Sequence, residues 1–147
     1  MTHCLVKFQR LTERARLPVY STEGSAGMDF FVCADSPVVI YPGETYLFRT
    51  GLACDLPKHH ALLLFPRSGL GIKHQITLSN SVGVIDHDYK GEICIALQNN
   101  SKRDYTVQPG DRVAQGIVFQ IPDVSIVEVG EISESARGTG GFGSTGR

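Results

Sequence analysis

The chain reads VVIYPGETYLFRT from residue 38 to residue 50, and this stretch sets the pattern of the whole sequence. Two short apolar runs, residues 38–40 and 46–50, lie on either side of the tetrapeptide Tyr41-Pro42-Gly43-Glu44. Pro presets φ for the second position of a type II turn, and Gly accepts the positive φ of the third position. Short apolar runs between such turns are typical of β-strands rather than helices.

The same alternation of apolar runs and turn signals continues along the chain. A second Pro-Gly turn lies at Gln108-Pro109-Gly110-Asp111. We therefore predict an all-β fold of ten short strands, which favours a sandwich, a jelly roll or a barrel. The predicted strands are residues 5–8, 28–32, 38–40, 46–50, 61–65, 82–85, 93–98, 105–107, 113–120 and 125–129. The single predicted helix covers residues 68–74, with Ser68 as its N-cap.

Length and charge narrow the class of protein. A chain of 147 residues predicts one domain with its own hydrophobic core. Its 14 basic and 15 acidic side chains give a net charge of −1, so we expect neither nucleic acid nor an anionic membrane as a partner bound by bulk attraction. The sequence contains no apolar run of the ~20 residues that span a membrane, and its start lacks the apolar stretch of a secretory signal. The four cysteines form no C-x-x-C pair, so we predict free thiols and a cytoplasmic location.

Glycine is concentrated at the C-terminus, where five of the 16 glycines occupy positions 138, 140, 141, 143 and 146. From residue 133 onward the composition is rich in Ser, Gly and Thr and cannot form a core. We predict a β domain of residues 1–132 and a flexible arm of residues 133–147 that a ligand or partner orders. Arg137 and Phe142 are unusual for a linker, because a guanidinium matches phosphate and an aromatic ring stacks on a base.

Two further segments carry candidate chemistry, each beside a plainer alternative. Arg67, Ser68 and Gly69 stand at the start of the predicted helix, where backbone N–H groups bind anions, although the segment could equally be a capped helix without a ligand. Residues 80–93 predict a β-hairpin with Asp86 at its tip. That carboxylate could accept a proton from water, or it could serve only to form the turn.

Five segments, in this order along the chain, resemble the motifs of the trimeric dUTPases. They are AGMD at 26–29, PRSGLG at 66–71, GVIDHDY at 83–89, GDRVAQ at 110–115 and RGTGGFGS at 137–144. The resemblance implies a jelly-roll-like β-barrel with one short helix, and a homotrimer whose chains share three active sites. It also implies Mg²⁺-dependent hydrolysis of dUTP to dUMP and pyrophosphate, which keeps uracil out of DNA and supplies dUMP for dTMP synthesis.

The same resemblance implies a role for individual residues. Asp86 would activate the water that attacks the α-phosphorus. Asp29 would contact Mg²⁺ through water, while the substrate phosphates hold most of the ion. The expected phosphate contacts in the β domain are Arg67, Ser68, Gly69 and Gln115. The expected contacts on the base and sugar side are Asn80, Gly83, Val84, Ile85, Tyr89 and Cys94. The arm is expected to add Arg137, Phe142, Gly143 and Ser144 as it closes over a site of the trimer.

Two alternatives belong to the same fold. A dCTP deaminase needs a Glu on the strand that corresponds to residues 93–99, and this stretch contains no acid. A dUTPase-like protein that only binds and regulates a partner would need none of the catalytic groups, whereas all of them are present in this chain. Hydrolysis of dUTP is therefore the favoured interpretation.

Overall fold

The chain folds into short antiparallel strands, as seen in a computed structural model that describes residues 4–142. In chain order the elements are β1 (Lys7–Arg10), β2 (Met28–Phe31), β3 (Val38–Ile40), β4 (Thr45–Arg49), β5 (Leu52–Asp55), β6 (His60–Pro66), α1 (Ser68–His74), β7 (Ile76–Leu78), β8 (Gly83–Ile85), β9 (Cys94–Asn99), β10 (Tyr105–Val107) and β11 (Arg112–Gln120). The strands form four sheets with the orders β1-β5, β10-β3, β2-β11-β6-β8 and β4-β9-β7. The all-β prediction is confirmed, whereas the strands of residues 4–142 do not close into a single hydrogen-bonded barrel.

The core lies where the buried faces of these short strands meet. In β9, Ile95, Leu97 and Asn99 are buried and alternate with half-buried neighbours, as the two-residue period of a strand requires. The Asn99 amide is buried without cost, because it donates to the carbonyl oxygens of Ile40 and Arg103. Burial of apolar side chains such as Ile95 and Leu97 is the main favourable term in folding.

Strand β11 is central to the four-stranded sheet, with β2 on one side and β6 on the other. Its Gly116 lies against the ring of Phe30 and the side chain of Leu62. A Cβ at this position would lie only 2.5 Å from Phe30 Cε2 and 2.9 Å from Leu62 Cδ1. The glycine therefore allows two fully buried side chains to fill the space over the strand.

Both predicted Pro-Gly turns are confirmed. Gly43 has a φ of 81° and Gly110 a φ of 82°, the left-handed values that glycine tolerates best. In the first turn the amide of Glu44 donates to the Tyr41 carbonyl at 3.0 Å, which closes the turn. Helix α1 also has the predicted bounds, but Arg67 occupies the N-cap and makes no side-chain cap bond. The assignment of Ser68 as N-cap is therefore wrong, because its backbone is already helical.

The strand predictions differ from the structure in three ways: one predicted strand is absent, two strands were not predicted, and one predicted pairing is wrong. Residues 125–129 form no strand, because no described segment pairs with them, and the chain from 121 to 139 is exposed throughout. The structure adds β5 and β7, two short strands without a strong sequence pattern. The predicted hairpin is absent, since β8 pairs with β6 whereas β9 pairs with β4 and β7. The backbone of Ile93 bonds to Leu52 at 2.7 Å and so directs β9 into a different sheet.

Helix α1, the one helix among residues 4–142, has only seven residues, and no helix of the described chain is long and apolar enough to cross a membrane. The four cysteines carry free thiols. Burial raises the pKa of the Cys54 thiol, and it raises that of Cys94 in the same way. Both thiols are therefore protonated near neutral pH.

Candidate functional site

A buried carboxylate held by two guanidinium groups lies at one end of the four-stranded sheet. Asp29 on β2 pairs with Gln115 on β11, which in turn pairs with Phe65 on β6. This register brings three segments that are distant in sequence to one place. Asp29 Oδ1 lies 2.9 Å from Arg67 Nε, and Asp29 Oδ2 lies 3.2 Å from Arg112 Nη1.

Ser21 and a backbone carbonyl complete this network. The Ser21 hydroxyl donates to Asp29 Oδ2 at 2.8 Å and accepts a bond from Arg112 Nη1 at 3.2 Å. Arg67 Nη1 donates to the carbonyl of Arg112 at 2.9 Å. The guanidinium of Arg67 is thus fixed along one edge, while the described residues make no bond to its Nη2. A rigid cation with donors to spare is well suited to an anionic ligand.

A cavity of about 270 Å³ opens in front of this network. Its walls are Ser21, Ser25, Ala26, Gly27, Asp29, Arg67, Ser68, Gly69 and Gln115. The Gln115 amide is oriented by donating to the Pro66 carbonyl at 2.9 Å, and it packs closely on Gly27. Five predicted site residues therefore share one polar cavity whose volume suits a chain of phosphates better than a whole nucleotide.

The start of helix α1 adds backbone donors to the cavity. The first helical bond runs from the Gly71 amide to the Arg67 carbonyl at 3.0 Å, so the amides of Ser68 and Gly69 lie before the helical ladder begins. Ser68 and Gly69 both line the cavity. Their N–H groups can bind an anion beside the Arg67 guanidinium.

A second group of predicted residues lies around β8, at the edge of the same sheet. Gly83, Val84 and Ile85 pair with β6 on one side only, and Val84 is exposed. The loop that follows carries Asp86 and Tyr89, both exposed. The phenol of Tyr89 donates to the Glu92 carbonyl at 2.9 Å, and its ring packs on Gly91, which keeps the ring folded over the loop.

These two groups lie far apart in one chain. Ile85 pairs with Leu62 near the start of β6, whereas Arg67 follows the end of that strand. At about 3.3 Å per residue, the five residues from Leu62 to Arg67 span roughly 16 Å. A general base must lie within hydrogen-bond distance of the water that it activates. Asp86 therefore lies outside hydrogen-bond distance of the cavity of its own chain.

The remaining predicted residues are not brought into either group by a described contact. Asn80 is exposed in the turn before β8, and Cys94 begins β9 opposite Arg49. In the arm, Arg137 Nε donates to the nearby Gly140 carbonyl at 2.7 Å, and the Phe142 side chain is fully exposed. The predicted residues Gly143 and Ser144 lie outside the described residues.

Two residues of the network were not assigned a role from the sequence. Arg112 lies inside the segment GDRVAQ, and a charged residue at the start of a central strand is a signal that could have singled it out. Ser21 lies in a polar stretch that resembles an ordinary loop and offers no such signal. The place of both residues in the network is determined only by the pairing of β2 with β11.

The described residues fit a magnesium ion that is held mainly by a ligand. No group of three His, Cys, Asp or Glu side chains within residues 4–142 could hold a metal ion alone. The Asp29 carboxylate accepts hydrogen bonds from Ser21 and Arg112 and forms an ion pair with Arg67 at 2.9 Å, so three of its roughly four acceptor positions face protein groups. Room for roughly one further donor suits a water of a hydrated ion, because Mg²⁺ usually retains several waters.

Known proteins with similar sequences and folds share one description. The family model for dUTPase matches residues 13–146. The chain is 50% identical over 144 residues to the deoxyuridine 5'-triphosphate nucleotidohydrolase of Neisseria meningitidis serogroup B, and 96% of each chain is covered. It is 44% identical to the protein of the same name from Idiomarina loihiensis, over 100% of this chain and 99% of the relative.

Solved structures show the same fold at lower identity. A variant of the dUTPase of Staphylococcus bacteriophage 80alpha with bound dUpNHpp superposes with a TM-score of 0.88, at 26% identity over 97% of this chain and 99% of that one. A variant of the dUTPase from phage phi11 of S. aureus, described for the coordination of a structural Mg(II) ion, has a TM-score of 0.79 at 26% identity. It covers 88% of this chain and 99% of its own.

Proposed function

Since this chain belongs to the dUTPase family, we propose that each of its active sites combines residues from different copies of the chain in a homotrimer. The reaction is the hydrolysis of dUTP to dUMP and pyrophosphate. The observation that carries the proposal is the separation between the Asp29–Arg67 cavity and Asp86, which lie toward opposite ends of β6. Two copies arranged so that the cavity of one faces the Asp86 loop of the next would remove that separation.

In this arrangement the cavity binds the phosphate chain of dUTP. The Arg67 guanidinium and the amides of Ser68 and Gly69 donate to phosphate oxygens, and Gln115 adds a further polar contact. Asp29 orients Arg67 through the 2.9 Å ion pair and contacts the hydrated ion through water. A Mg²⁺ ion bound by the phosphates would offset part of their charge, and Asp29 is the carboxylate that would face its water shell.

Asp86 of the facing copy acts as the general base. Its carboxylate is exposed and the described residues make no hydrogen bond to its side-chain oxygens, so it can accept the proton of a bound water. That water attacks the α-phosphorus, and the β- and γ-phosphates leave together as pyrophosphate. Water is a poor nucleophile at neutral pH, which is why removal of this carboxylate should abolish most turnover.

The unpaired edge of β8 supports recognition of uracil. Gly83, Val84 and Ile85 use one side of the strand to pair with β6, which leaves backbone donors and acceptors on the other side. Uracil presents acceptor, donor and acceptor in sequence, and cytosine does not, so fixed backbone groups, with Asn80 and the backbone of Cys94, would reject dCTP. Tyr89, folded over its loop, packs against the deoxyribose in this proposal.

The C-terminal segment supports the assembly of several chains. Val124, Ile126, Val127, Val129 and Ile132 are all more than half exposed, which is unusual for so many apolar side chains in one short stretch. Contact with a neighbouring copy would bury them and bring the arm of residues 133–147 over a shared site. Arg137 then binds the terminal phosphate, Phe142 stacks on uracil, and Gly143 and Ser144 contact the phosphates.

Mixing two inactive variants tests whether the site is shared. Asp86→Asn lacks the base and Arg67→Ala lacks the phosphate contact, so each alone should release little pyrophosphate from dUTP. If trimers formed by random exchange contain both variants, about a quarter of the sites receive an intact Asp86 from one copy and an intact Arg67 from another. The mixture, after mild unfolding and refolding together, should therefore recover about a quarter of wild-type activity.

Recovery below a few per cent, in a mixture shown by mass spectrometry to contain mixed trimers, would contradict a shared site. The control is a mixture of wild type with Asp86→Asn, which reports any loss caused by refolding. Substrate choice is tested separately with dUTP, dTTP, dCTP and UTP, each with and without Mg²⁺. Release of ammonia from dCTP would instead favour the deaminase, whose acid is missing from β9.

We also propose the cytoplasm as the site of action, because free thiols are stable in a reducing compartment.

A further inference from the structure

The loop that carries Asp86 is attached to β5 by an ion pair outside the phosphate cavity. Lys90 Nζ lies 2.7 Å from Asp55 Oδ1 at the end of β5, and it donates at 2.7 Å to the His87 carbonyl within the loop. Lys7 on β1 lies 3.7 Å from the other Asp55 oxygen. Lys90 therefore ties the middle of the loop to the two-stranded sheet β1-β5.

A second ion pair holds the end of the same loop. Glu92 Oε2 accepts a hydrogen bond from Arg49 Nε at 2.8 Å and lies 2.7 Å from Arg49 Nη2, and Glu92 Oε1 accepts the Gly51 amide at 2.8 Å. The Glu92 side chain is only 14% exposed, so this contact is partly shielded from water. Both carboxylate oxygens are engaged with the segment that joins β4 to β5.

The last loop residue, Ile93, also bonds outside the loop: its amide donates to the Leu52 carbonyl at 2.7 Å, and its carbonyl accepts the Thr50 hydroxyl at 2.6 Å. The other bonds of the loop are internal to it. The Tyr89 amide donates to the Asp86 carbonyl at 3.2 Å, and the Tyr89 hydroxyl donates to the Glu92 carbonyl. Because no described residue bonds to the Asp86 side chain, its position depends on the backbone of this loop. The Ile93 bonds fix only the last residue of the loop, whereas the two ion pairs hold its middle and the residue before Ile93.

We propose that Asp55 and Arg49 are positioning residues for catalysis, which act through Lys90 and Glu92 on the location of Asp86. The inference rests on the proposed role of Asp86 as the base. Neither Asp55 nor Arg49 belongs to any of the five motifs, and neither lines the phosphate cavity. A small displacement of a catalytic group is enough to reduce turnover, so even a half-exposed ion pair can affect the rate.

The test compares Asp55→Asn, Lys90→Met and Arg49→Gln with wild type in steady-state dUTP hydrolysis. We expect kcat to fall about fivefold for Asp55→Asn and about tenfold for Arg49→Gln, with KM changed less than about twofold. Lys90→Arg should retain most of kcat, because it keeps both the charge and a donor to His87. The double variant Asp55→Asn with Lys90→Met should be about as slow as Lys90→Met alone, since both remove one contact.

The matched control is Asp35→Asn, which breaks an exposed ion pair with Arg14 on the wall of the cavity that Arg49 and Glu92 also line; no described hydrogen bond or ion pair joins Asp35 to residues 86–93. Hydrogen exchange of the peptide covering residues 86–93 supplies a second readout, and it should become faster in the three test variants but not in the control. Melting temperatures identify any variant whose lower kcat reflects partial unfolding.

Values of kcat for Asp55→Asn and Arg49→Gln that match the Asp35→Asn control would overturn the inference. The inference would also be overturned if Lys90→Arg lost as much kcat as Lys90→Met. It would be overturned as well if hydrogen exchange of residues 86–93 stayed the same in the three test variants. Asp86→Asn is measured in parallel. If it retains turnover, the proposed base is wrong; if it is inactive while the positioning variants are normal, only the inference about Asp55 and Arg49 fails.

Discussion

At the scale of single residues, Asp29 has a dual part in the structure. It is buried near the start of β2. Its ion pairs with Arg67 and Arg112 allow two guanidinium groups to lie in one small region. Without that negative charge, the two cations would lie close together with no carboxylate to compensate them. Asp29 therefore stabilises the fold as well as orienting Arg67, the proposed phosphate contact.

The Asp29→Asn variant tests whether the negative charge of Asp29 contributes more to stability than a single hydrogen bond does. Breaking a buried ion pair leaves an uncompensated charge, so we expect Asp29→Asn to lower the free energy of unfolding by about 3 kcal/mol and to raise KM for dUTP. Ser21→Ala removes one hydroxyl from the same network and should cost only about 1 kcal/mol. Urea unfolding of the two variants measures the difference, and equal losses would contradict this role.

Asp55 provides a pH-dependent contribution to stability. The hydrogen bond and charge of Lys90 hold the pKa of the Asp55 carboxyl below its ordinary value. A carboxyl whose pKa is lower in the folded state contributes stability above its unfolded pKa and loses it as the pH falls through its folded pKa. The melting temperature of wild type should therefore exceed that of Asp55→Asn at pH 7, and the gap should close below about pH 4. A gap that persists unchanged at pH 3 would be inconsistent with this linkage.

At the scale of the elements, β11 determines how closely the sheet packs. Gly116 leaves no room for a Cβ between Phe30 and Leu62. We expect Gly116→Ala to lower the free energy of unfolding by about 1–3 kcal/mol, because neither buried neighbour can move freely. Gly24→Ala is the matched control, since a Cβ at that position would meet nothing within 4 Å. Comparable losses in urea unfolding would show that the space over Gly116 is not limiting.

At the scale of the whole molecule, the exposed C-terminal segment has two separable parts. Residues 124–132 contain the exposed apolar side chains, and residues 133–147 are the glycine-rich stretch that we propose as the arm. We expect a chain that ends at residue 132 to remain a folded trimer with little catalysis. A chain that ends at residue 120 should also lose the trimer, because the apolar contacts are removed. Light scattering gives the mass and pyrophosphate release gives the activity; full activity of the first truncation would remove the arm from the mechanism.

Much of the local structure could be predicted from neighbouring residues alone. The positive φ of Gly43 and Gly110, the bounds of α1 and the strands β3 and β10 all follow from short patterns. The pairing of those strands could not, because β3 joins β10 across more than 60 residues of chain. The hairpin predicted for residues 80–93 was wrong for this reason: two adjacent strands each found a better partner elsewhere.

The sequence by itself determined which residues are candidates for the chemistry, since the ordered motifs contain Asp29, Arg67, Asp86 and Gln115. Only the tertiary structure decided that Asp29, Arg67 and Gln115 share a cavity, and that Asp86 lies too far away to join them. The physical reason is that residue type and turn geometry are local properties, whereas the register between strands depends on burial across the whole chain. That register also joined Ser21 and Arg112 to the site, and it left Asp86 on a loop that the Asp55–Lys90 and Arg49–Glu92 pairs hold in place.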